Sequence, residues 1–417
     1  MKIAVIGSGG REHAIIKKIK ENPKVDKIYA LPGNGGFSKD AECVDIGAKD
    51  IDGIVKFSVD NKIDYVIVAP DDPLVMGAVD ALEKVGIPAF GPRANAAIIE
   101  GSKVFSKNLM KKYGIPTAAY ETFDDAQKAL EYVETCPLPT VVKADGLALG
   151  KGVIIAEDRK KAKQAVASIM LDKQFGASGN RIVIEEFMEG PEITVLSFTD
   201  GKVIKPMVSS MDHKRAHDFD EGLNTGGMGT IAPNPYYSKQ VADECMEKIF
   251  LPTMVALNKE GRTFKGCLYF GLMLTNNGPK VVEYNSRFGD PETQVVLPLL
   301  ESDLLDIMQA TTNGTLKDCE VKFKETYAAC VIMASEGYPE HYEKGYEISI
   351  DPEVEDMVFV AGAKLEKGKL LTNGGRVLGI TALGDTLVEA RAKAYEATEW
   401  IDFANKYMRS DIANAIL

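Results

Sequence analysis

The sequence predicts a mixed α/β and α+β protein that begins with a parallel β-sheet. Over residues 1 to about 100, short apolar runs at 3–6 and 65–68 alternate with helical patterns such as 74–85, which is typical of βαβ units. Later strands at 266–274 and 280–285 are longer and flank Asn276-Asn277-Gly278, a hairpin turn signal. The C-terminal residues are strand-rich up to Ala382, and a closing helix is predicted over 386–402.

The length and these pattern changes predict three domains. The chain has 417 residues, and domains average roughly 150 residues. We place them at 1–100, 101–326 and 327–417. Within the second, Ser102 is a plausible helix N-cap, and strands and a helix between about 119 and 187 predict a compact lobe.

The composition excludes several classes of protein. The net charge is -12, which argues against nucleic-acid binding, and 45% hydrophobic and 26% charged residues are ordinary for a soluble protein. No apolar run approaches the ~18 residues of a membrane span, and no signal peptide is recognisable. None of the six cysteines forms a CxxC pair. We expect a cytoplasmic monomer with no nucleic-acid or membrane partner.

The first glycine cluster, Gly7-Ser8-Gly9-Gly10, follows a strand and opens a helix, which directs backbone N–H groups at an anion. A dinucleotide site is disfavoured because Glu12 stands at the third glycine position of the fingerprint, and no acidic residue ends the second strand. A second turn, which contains Asn34, suits a small phosphate ester better. The alternative is a pair of tight turns without a ligand.

The second glycine cluster spans 146–152 and follows Lys143. Its spacing is not that of a Walker A loop. A strand-end lysine before such a loop can neutralise a triphosphate while the loop folds over it. A surface hairpin with a solvated lysine is the alternative.

Two strand ends carry further polar groups. The first, Glu185-Glu186-Phe187-Met188 with Glu192 beyond it, offers backbone for an adenine edge and a carboxylate for ribose hydroxyls, although it also fits an ordinary acidic strand end. In the second, Glu283 and Asn285 share a strand face. Paired oxygen ligands suit Mg²⁺. A salt bridge of Glu283 with a lysine is the alternative there.

A charged loop, Asp212-His213-Lys214-Arg215, precedes the glycine-rich turn 224–229. This composition favours a binding loop, whereas a solvated loop is the alternative. The sequence shows no Ser-His-Asp arrangement.

The order of these segments resembles the ATP-grasp superfamily, and within it the phosphoribosylamine–glycine ligase family, also called glycinamide ribonucleotide synthetases. The resemblance covers residues 1 to about 300. The matching segments are 4–14, Pro32-Gly33-Asn34-Gly35-Gly36, Gly101-Ser102-Lys103, 212–215, Asn224-Thr225-Gly226-Gly227-Met228-Gly229 and 283–294.

The resemblance implies a Rossmann-like (pre-ATP-grasp) N-terminal domain, an ATP-grasp domain whose small lobe is a mobile lid, and a small C-terminal domain. It implies ATP-dependent ligation of glycine to 5-phosphoribosylamine through glycyl phosphate. The products would be glycinamide ribonucleotide, ADP and phosphate, in de novo purine biosynthesis. Its small-molecule partners would be ATP, glycine and 5-phosphoribosylamine, and its metal Mg²⁺ or Mn²⁺.

The resemblance also implies roles for individual residues, which fall into four groups. The catalytic residues would be Arg287, Lys143 and Asp212. ATP would contact Lys103, Lys143, Gly150, Glu185, Glu186, Phe187, Met188 and Glu192. The other substrates would contact Gly9, Gly10, Asn34, Asp212, His213, Lys214, Asn224, Arg287 and Asp290. The metal would bind Glu283 and Asn285.

Two departures from the family pattern stand out. Pro70-Asp71-Asp72 replaces the usual Gly-Pro-Glu, and we take Asp72 as the residue that keeps its charge. Residues 269–273 lack a further metal-binding glutamate. The competing hypotheses are another ATP-grasp ligase with a different acid or amine, a nucleotide-binding regulatory protein with a degenerate site, and a nicotinamide-dependent oxidoreductase.

Overall fold

The computed structural model describes residues 1–147 and 152–416. Gly150, which the resemblance places at ATP, lies outside the described residues. No helix among the described residues is long and apolar enough to cross a membrane.

The N-terminal region is a parallel sheet with helices against it, which confirms the predicted α/β start. Its strands lie in the order β3-β2-β1-β4-β5. All four residues of β4 are buried, as expected for a strand covered on both faces. The elements are β1 (Lys2–Gly7), α1 (Gly10–Ile19), β2 (Lys27–Pro32), β3 (Glu42–Cys43), α2 (Ile51–Asp60), β4 (Tyr65–Val68), α3 (Asp71–Val75), α4 (Ala78–Lys84) and β5 (Ala89–Phe90).

Two helices and a small antiparallel sheet follow. The sheet has the order β6-β9-β7-β8. The predicted cap is confirmed, because the Ser102 hydroxyl accepts the Phe105 N–H at 3.0 Å at the start of α6. The elements are α5 (Ala94–Gly101), α6 (Lys103–Tyr113), β6 (Tyr120–Phe123), α7 (Ala126–Val133), β7 (Thr140–Ala144), β8 (Val153–Ala156), α8 (Arg159–Val166) and β9 (Ile182–Glu186).

A second antiparallel sheet, in the order β11-β10-β16-β17, forms the centre of the molecule. Its predicted hairpin is confirmed, and Gly278 takes the left-handed φ of 93° that the turn requires. The elements here are β10 (Glu192–Thr199), β11 (Ile204–Pro206), β12 (Met211–Asp212), β13 (Arg215–His217), β14 (Glu221–Asn224), β15 (Gly229–Ala232), α9 (Lys239–Cys245), α10 (Leu251–Lys259), β16 (Gly266–Thr275), β17 (Gly278–Asn285), α11 (Thr293–Leu299) and α12 (Leu304–Asn313).

The C-terminal strands form two small sheets, β19-β24 and β21-β22, and share a larger one with the central region. Their main sheet has the order β12-β15-β18-β23-β20, so the central region contributes its first two strands, and β25 pairs with β18. The domain boundaries at residues 100 and 326 stay predictions. The elements are β18 (Tyr327–Ser335), β19 (Ser349–Ile350), β20 (Val358–Val360), β21 (Ala363–Glu366), β22 (Lys369–Thr372), β23 (Arg376–Gly384), α13 (Leu387–Thr398), β24 (Ile401–Asp402) and β25 (Lys406–Tyr407).

Two predicted helices were wrong in extent. The pattern at 74–85 is interrupted, because Gly77 adopts a φ of 90° between α3 and α4. The C-terminal helix stops at Thr398, and Asp402 belongs to a short strand that pairs with β19. In both places a tertiary contact or a left-handed turn outweighs helix propensity.

Apolar packing behind the central sheet supports the face that carries polar groups. Phe270 of β16 is fully buried, and its ring centroid lies 4.3 Å from that of Phe250 and 5.6 Å from that of Tyr284. Tyr284 is 3% exposed, and its hydroxyl lies 2.9 Å from the Thr253 hydroxyl. Tyr284 therefore points into the core, between Glu283 and Asn285 on the opposite face.

We expect Phe270→Ala to lower the free energy of unfolding by ~3–5 kcal/mol, because it removes a buried ring and leaves a cavity. Val255→Ala is the control, since Val255 is 43% exposed, and should change stability by about 0.5 kcal/mol or less. Denaturant titration of both variants measures the difference. Equal stabilities would contradict the packing described.

Candidate active site

A cleft of about 1390 Å³ lies between the small antiparallel sheet and the central sheet. Residues from distant parts of the chain line it, and most of the site positions predicted from the sequence are among them. Those that line the cleft are Lys103, Lys143, Glu185, Glu186, Phe187, Met188, Glu192, Asp212, His213, Lys214, Asn224, Glu283, Asn285, Arg287 and Asp290.

Glu185 is the most enclosed carboxylate at the nucleotide end that we predicted. It is 4% exposed on β9, and it forms ion pairs with Lys143 of β7 through Oε1 and with Lys107 of α6 through Oε2. Burial favours the neutral acid, but the charges of Lys143 and Lys107 outweigh burial and hold the pKa of Glu185 below its usual range. The carboxylate therefore stays ionised between two cations.

Glu186 ends β9, and Phe187 and Met188 follow it. Glu186 is exposed, Phe187 is half-buried and Met188 is 9% exposed. Glu186 accepts the Ala119 N–H at 3.3 Å, which ties this strand end to the start of the lobe. An apolar pair beside main chain at a strand end is a suitable surface for a flat heterocycle.

Lys103 lies at the N-terminus of α6, where the helix meets the end of β7. Its ammonium donates to the Gly146 carbonyl at 3.1 Å, and its backbone N–H donates to the Asp145 carbonyl at 2.9 Å. Burial lowers the pKa of Lys103, and the nearby charge of Glu283 opposes that shift. Lys103 and Lys143 thus bring positive charge to the same side of the cleft as Glu283.

Glu283 and Asn285 lie on one face of β17, as the strand period predicts. Burial would raise the pKa of Glu283, but Lys214, Lys143 and Lys103 outweigh it and keep the carboxylate ionised. The Asn285 side chain forms hydrogen bonds in the orientation in which its amide nitrogen donates to the Tyr284 carbonyl at 3.0 Å and to Glu100 Oε1 at 3.1 Å. That orientation turns the amide oxygen away from Glu100 Oε1 and the Tyr284 carbonyl.

These two oxygen donors fit Mg²⁺ or Mn²⁺ in chemistry, since both metals prefer carboxylate and amide oxygens. Across the described parts of the chain, no group of three or more His, Cys, Asp or Glu residues is arranged to hold a metal ion. A metal bound at Glu283 and Asn285 would therefore complete its coordination with phosphate oxygens and water.

Lys214 connects the charged loop to the predicted ribose contact. Its ammonium lies 2.8 Å from Glu192 Oε2. The charge of Glu192 raises the pKa of Lys214, against the opposing effect of burial, and Glu283 adds to the rise. Lys214 is consequently a fixed cation between the two carboxylates.

Arg287 follows β17 and pairs with the carboxylate of Glu100. Its Nη2 lies 3.0 Å from Glu100 Oε1, while Glu100 Oε2 accepts the Ser286 N–H at 2.7 Å. Burial opposes its charge, but Glu100 and Asp71 outweigh burial and raise the pKa of Arg287. Its Nε is buried without a hydrogen-bond partner among the described residues. One donor of this guanidinium is thus still available.

Asp212 and Glu292 form a pair of acids in the same cleft. Burial, followed by the charge of Glu292, raises the pKa of Asp212. Burial likewise raises the pKa of Glu292, whose Oε1 accepts the Tyr269 hydroxyl at 2.9 Å. Asp212 Oδ1 is buried without a hydrogen-bond partner in the described parts of the chain. The pair therefore favours sharing of a proton over full ionisation.

The remaining predicted substrate contacts are tied to the C-terminal region. The neutral imidazole of His213 contacts the Gly229 carbonyl through Nδ1 at 3.2 Å and accepts the Ala413 N–H at Nε2 at 3.1 Å. Asp290 lies 3.3 Å from Arg376 Nη2 through Oδ1. Arg376 also donates to the Gly226 carbonyl at 2.8 Å.

Gly9, Gly10 and Asn34 do not line this cleft. The Gly9 N–H donates to Glu12 Oε2 at 2.5 Å, and the Arg11 N–H donates to Asp290 Oδ2 at 3.2 Å, so carboxylates already contact the first turn of α1. The Asn34 amide donates to the Ser8, Val360 and Ala361 carbonyls at 2.8–2.9 Å. Asn34 lines a separate cavity of about 1190 Å³.

The structure separates the two aspartates of the Pro70-Asp71-Asp72 segment, of which we had singled out Asp72. Asp72 pairs with the surface residue Lys49 at 2.6 Å, whereas Asp71 lines the cleft. Arg287 and Arg11 outweigh burial and hold the pKa of Asp71 below its usual range. The two aspartates begin α3, and a single position along a helix rotates a side chain by ~100°.

Sequence analysis missed several residues that line the cleft: Arg11, Asp71, Glu100, Lys107, Tyr269, Glu292 and Arg376. Lys107 could have been predicted from the sequence, because it lies four residues after Lys103 and therefore on the same face of the helix. Arg376 could not, since it reaches the cleft from β23 of the C-terminal sheet.

Comparison with known proteins agrees with this arrangement. Residues 1–100 match the phosphoribosylglycinamide synthetase N domain, 101–293 its ATP-grasp (A) domain and 328–415 its C domain. Phosphoribosylamine–glycine ligase of Caldanaerobacter subterraneus subsp. tengcongensis is 49% identical, with 99% of each chain covered. The enzyme of the same name from Clostridium acetobutylicum is 46% identical, with 100% of each chain covered.

Solved structures give the same relationship. The crystal structure of phosphoribosylamine–glycine ligase from Thermotoga maritima superposes with a TM-score of 0.88 at 33% identity, covering 99% of this chain and 100% of that one. The biotin carboxylase domain of the Hydrogenobacter thermophilus 2-oxoglutarate carboxylase superposes with a TM-score of 0.74 at 14% identity, covering 97% of this chain and 91% of that one. This second likeness concerns the fold alone.

The fold and the cleft define an ATP-grasp ligase. Two lysines, the carboxylate and amide of β17 and the apolar residues that follow β9 all line the same cleft. The chain belongs to the phosphoribosylglycinamide synthetase family.

We expect Asp71→Asn to lower ligase kcat/KM by ~10- to 100-fold, because it removes a negative charge from the cleft that interacts electrostatically with Arg287 and Arg11. Asp72→Asn is the matched control and should stay within about twofold, since it breaks only a surface ion pair. Steady-state kinetics of both variants, with thermal unfolding as a check on folding, gives the comparison. A larger defect in Asp72→Asn would favour Asp72 as the functional residue of the two.

Proposed function

We propose that the cleft joins glycine to 5-phosphoribosylamine at the expense of ATP, and that it releases glycinamide ribonucleotide, ADP and phosphate. The reaction would proceed through glycyl phosphate in de novo purine biosynthesis. The observation that carries the proposal is the full-length relationship to phosphoribosylamine–glycine ligases, together with the convergence of Lys103, Lys143, Glu283 and Asn285 in one cleft.

ATP would occupy the side of the cleft next to the small lobe. Lys103 and Lys143 would contact its phosphates, and Glu185, Glu186, Phe187 and Met188 would contact the adenine. Glu192 would accept ribose hydroxyls. The fixed directions of these side chains support this placement, because strand ends and a helix N-terminus hold them rather than surface loops. Gly150 belongs to the same proposal from sequence resemblance.

Activation of glycine brings two anions together, its carboxylate and the γ-phosphoryl group. Arg287 would offset that charge with its free Nε donor, and Lys143 would do so from the lobe. Glu283 and Asn285 would hold Mg²⁺, with Mn²⁺ as the alternative. A metal ion in this position supplies charge neutralisation of the phosphates.

The second substrate would bind at the side formed by Asp212, His213, Lys214, Asn224 and Asp290. Its amine attacks the glycyl carbonyl and must lose a proton, and Asp212 lies beside this space with an oxygen that lacks a hydrogen bond within the described residues. A sugar phosphate at Gly9 and Gly10 would have to displace Asp290 from the Arg11 N–H. In that case Asn34 would hold the turn through its hydrogen bonds to the Ser8, Val360 and Ala361 carbonyls and would not contact the ligand.

An acyl phosphate hydrolyses readily in water, so the proposal includes closure of the lobe at about 119–187 over the cleft. We also propose that the enzyme is a cytoplasmic monomer whose partners are these small molecules.

Omission of single substrates tests the proposal. ADP release should require both glycine and 5-phosphoribosylamine, because a protected acyl phosphate does not leak. Alanine should not replace glycine in the same assay, and the substrate-free enzyme provides the background rate. Full turnover without the amine, or with alanine, would point to a different ATP-grasp ligase.

A further inference from the structure

Lys107 has no place in the reaction as proposed, yet it is one of the most buried charges of the molecule. It is 3% exposed and lies on α6, one turn after Lys103. Its ammonium lies 2.5 Å from Glu185 Oε2 and donates to the Thr117 hydroxyl at 2.8 Å. That hydroxyl donates to the Val281 carbonyl at 2.7 Å, so Lys107 is fixed to the metal-binding strand β17.

Glu185 is shared between Lys107 and Lys143, one on each carboxylate oxygen. The Lys143 ammonium also lies 3.4 Å from the Val282 carbonyl, next to Glu283. A move of the Lys143 ammonium toward nucleotide phosphates would lengthen its ion pair with Glu185. A buried carboxylate without a partner is strongly unfavourable, so this movement requires a second cation that stays behind.

We propose that Lys107 is a positioning residue that remains on Glu185 and thereby releases Lys143 to the nucleotide phosphates. This inference rests on the proposed nucleotide site. Three features suit Lys107 to this role. It is anchored through Thr117, it contacts the oxygen that Lys143 does not use, and it lies on the helix that starts with Lys103. Lys143 lines the cleft from β7, and its contact with the Val282 carbonyl at 3.4 Å is longer than the 2.8 Å hydrogen bond of Lys107 to Thr117.

The surroundings of Lys107 make its effect dependent on pH. The groups that face it are Glu185 on β9, Lys143 on β7, Lys280 on β17 and the Tyr120 ring on β6, whose centroid is 5.6 Å from Nζ. Burial lowers the pKa of Lys107 to about 8. The positive charge of Lys143 adds to this shift, and the negative charge of Glu185 opposes it. Above that pH, Glu185 has Lys143 as its remaining cation, and Lys143 is held back from the phosphates.

A double-mutant cycle on nucleotide affinity tests the proposal without requiring turnover. The Kd of a non-hydrolysable ATP analogue with Mg²⁺ would be measured by calorimetry for the wild type, Lys143→Met, Lys107→Met and the double variant. Lys143→Met should weaken binding about tenfold in the wild-type background and by less than about twofold in the Lys107→Met background. Additive effects in the two backgrounds would overturn the proposal.

Two further variants separate positioning from simple structural support. Lys107→Arg keeps the charge and should bind the analogue nearly as the wild type does, but without the weakening above pH 8, because a guanidinium does not titrate there. Lys111→Met is the control, since Lys111 is an exposed residue on the same helix. A wild-type Kd that is constant through pH 8, or equal weakening in Lys107→Arg and Lys107→Met, would contradict the mechanism. Failure of the proposed reaction would instead appear as missing glycine dependence while these binding constants behave as expected.

Discussion

The ion pairs around Glu185 are the interaction on which the rest of the proposed nucleotide site depends. A carboxylate buried at 4% exposure is stable only while cations accompany it, and here it has Lys107 from a helix and Lys143 from a strand. These pairs join the small antiparallel sheet to α6, and through Thr117 to the central sheet. The same contacts that stabilise the lobe against the body of the protein therefore set the charge at the nucleotide.

The other side of the cleft follows a similar rule. Arg287 pairs with Glu100 and Lys214 with Glu192, so both cations on this side have a carboxylate beside them. Such an arrangement is preorganised, because the dipoles and charges need not reorient when charge develops. Arg376 extends the pattern from the C-terminal sheet to Asp290. Because β12 and β15 belong to the same sheet as β23, Asp212 and Arg376 reach one cleft.

Local patterns in the sequence were enough for some of these features and insufficient for others. The strand period predicted the common face of Glu283 and Asn285, and the capping rule predicted Ser102, because both depend on neighbouring residues only. Asp71 and Asp72 cannot be separated by type, and only the helix rotation decides which one faces Arg287. Arg376 depends on which elements pack together, whereas the spacing of Lys107 from Lys103 on one helix is a local signal. Asn34 also depends on packing, since its side chain holds the 360–361 backbone, a contact that the glycine-rich turn pattern does not show.

The central claim is that glycine's carboxylate attacks the γ-phosphoryl group of ATP within this cleft, so that one carboxylate oxygen leaves with the phosphate. Turnover of glycine labelled with ¹⁸O in its carboxylate, followed by mass analysis of the inorganic phosphate, measures this directly. The account predicts one ¹⁸O atom in the phosphate for each glycinamide ribonucleotide formed. Phosphate without label, while product forms at the normal rate, would contradict it.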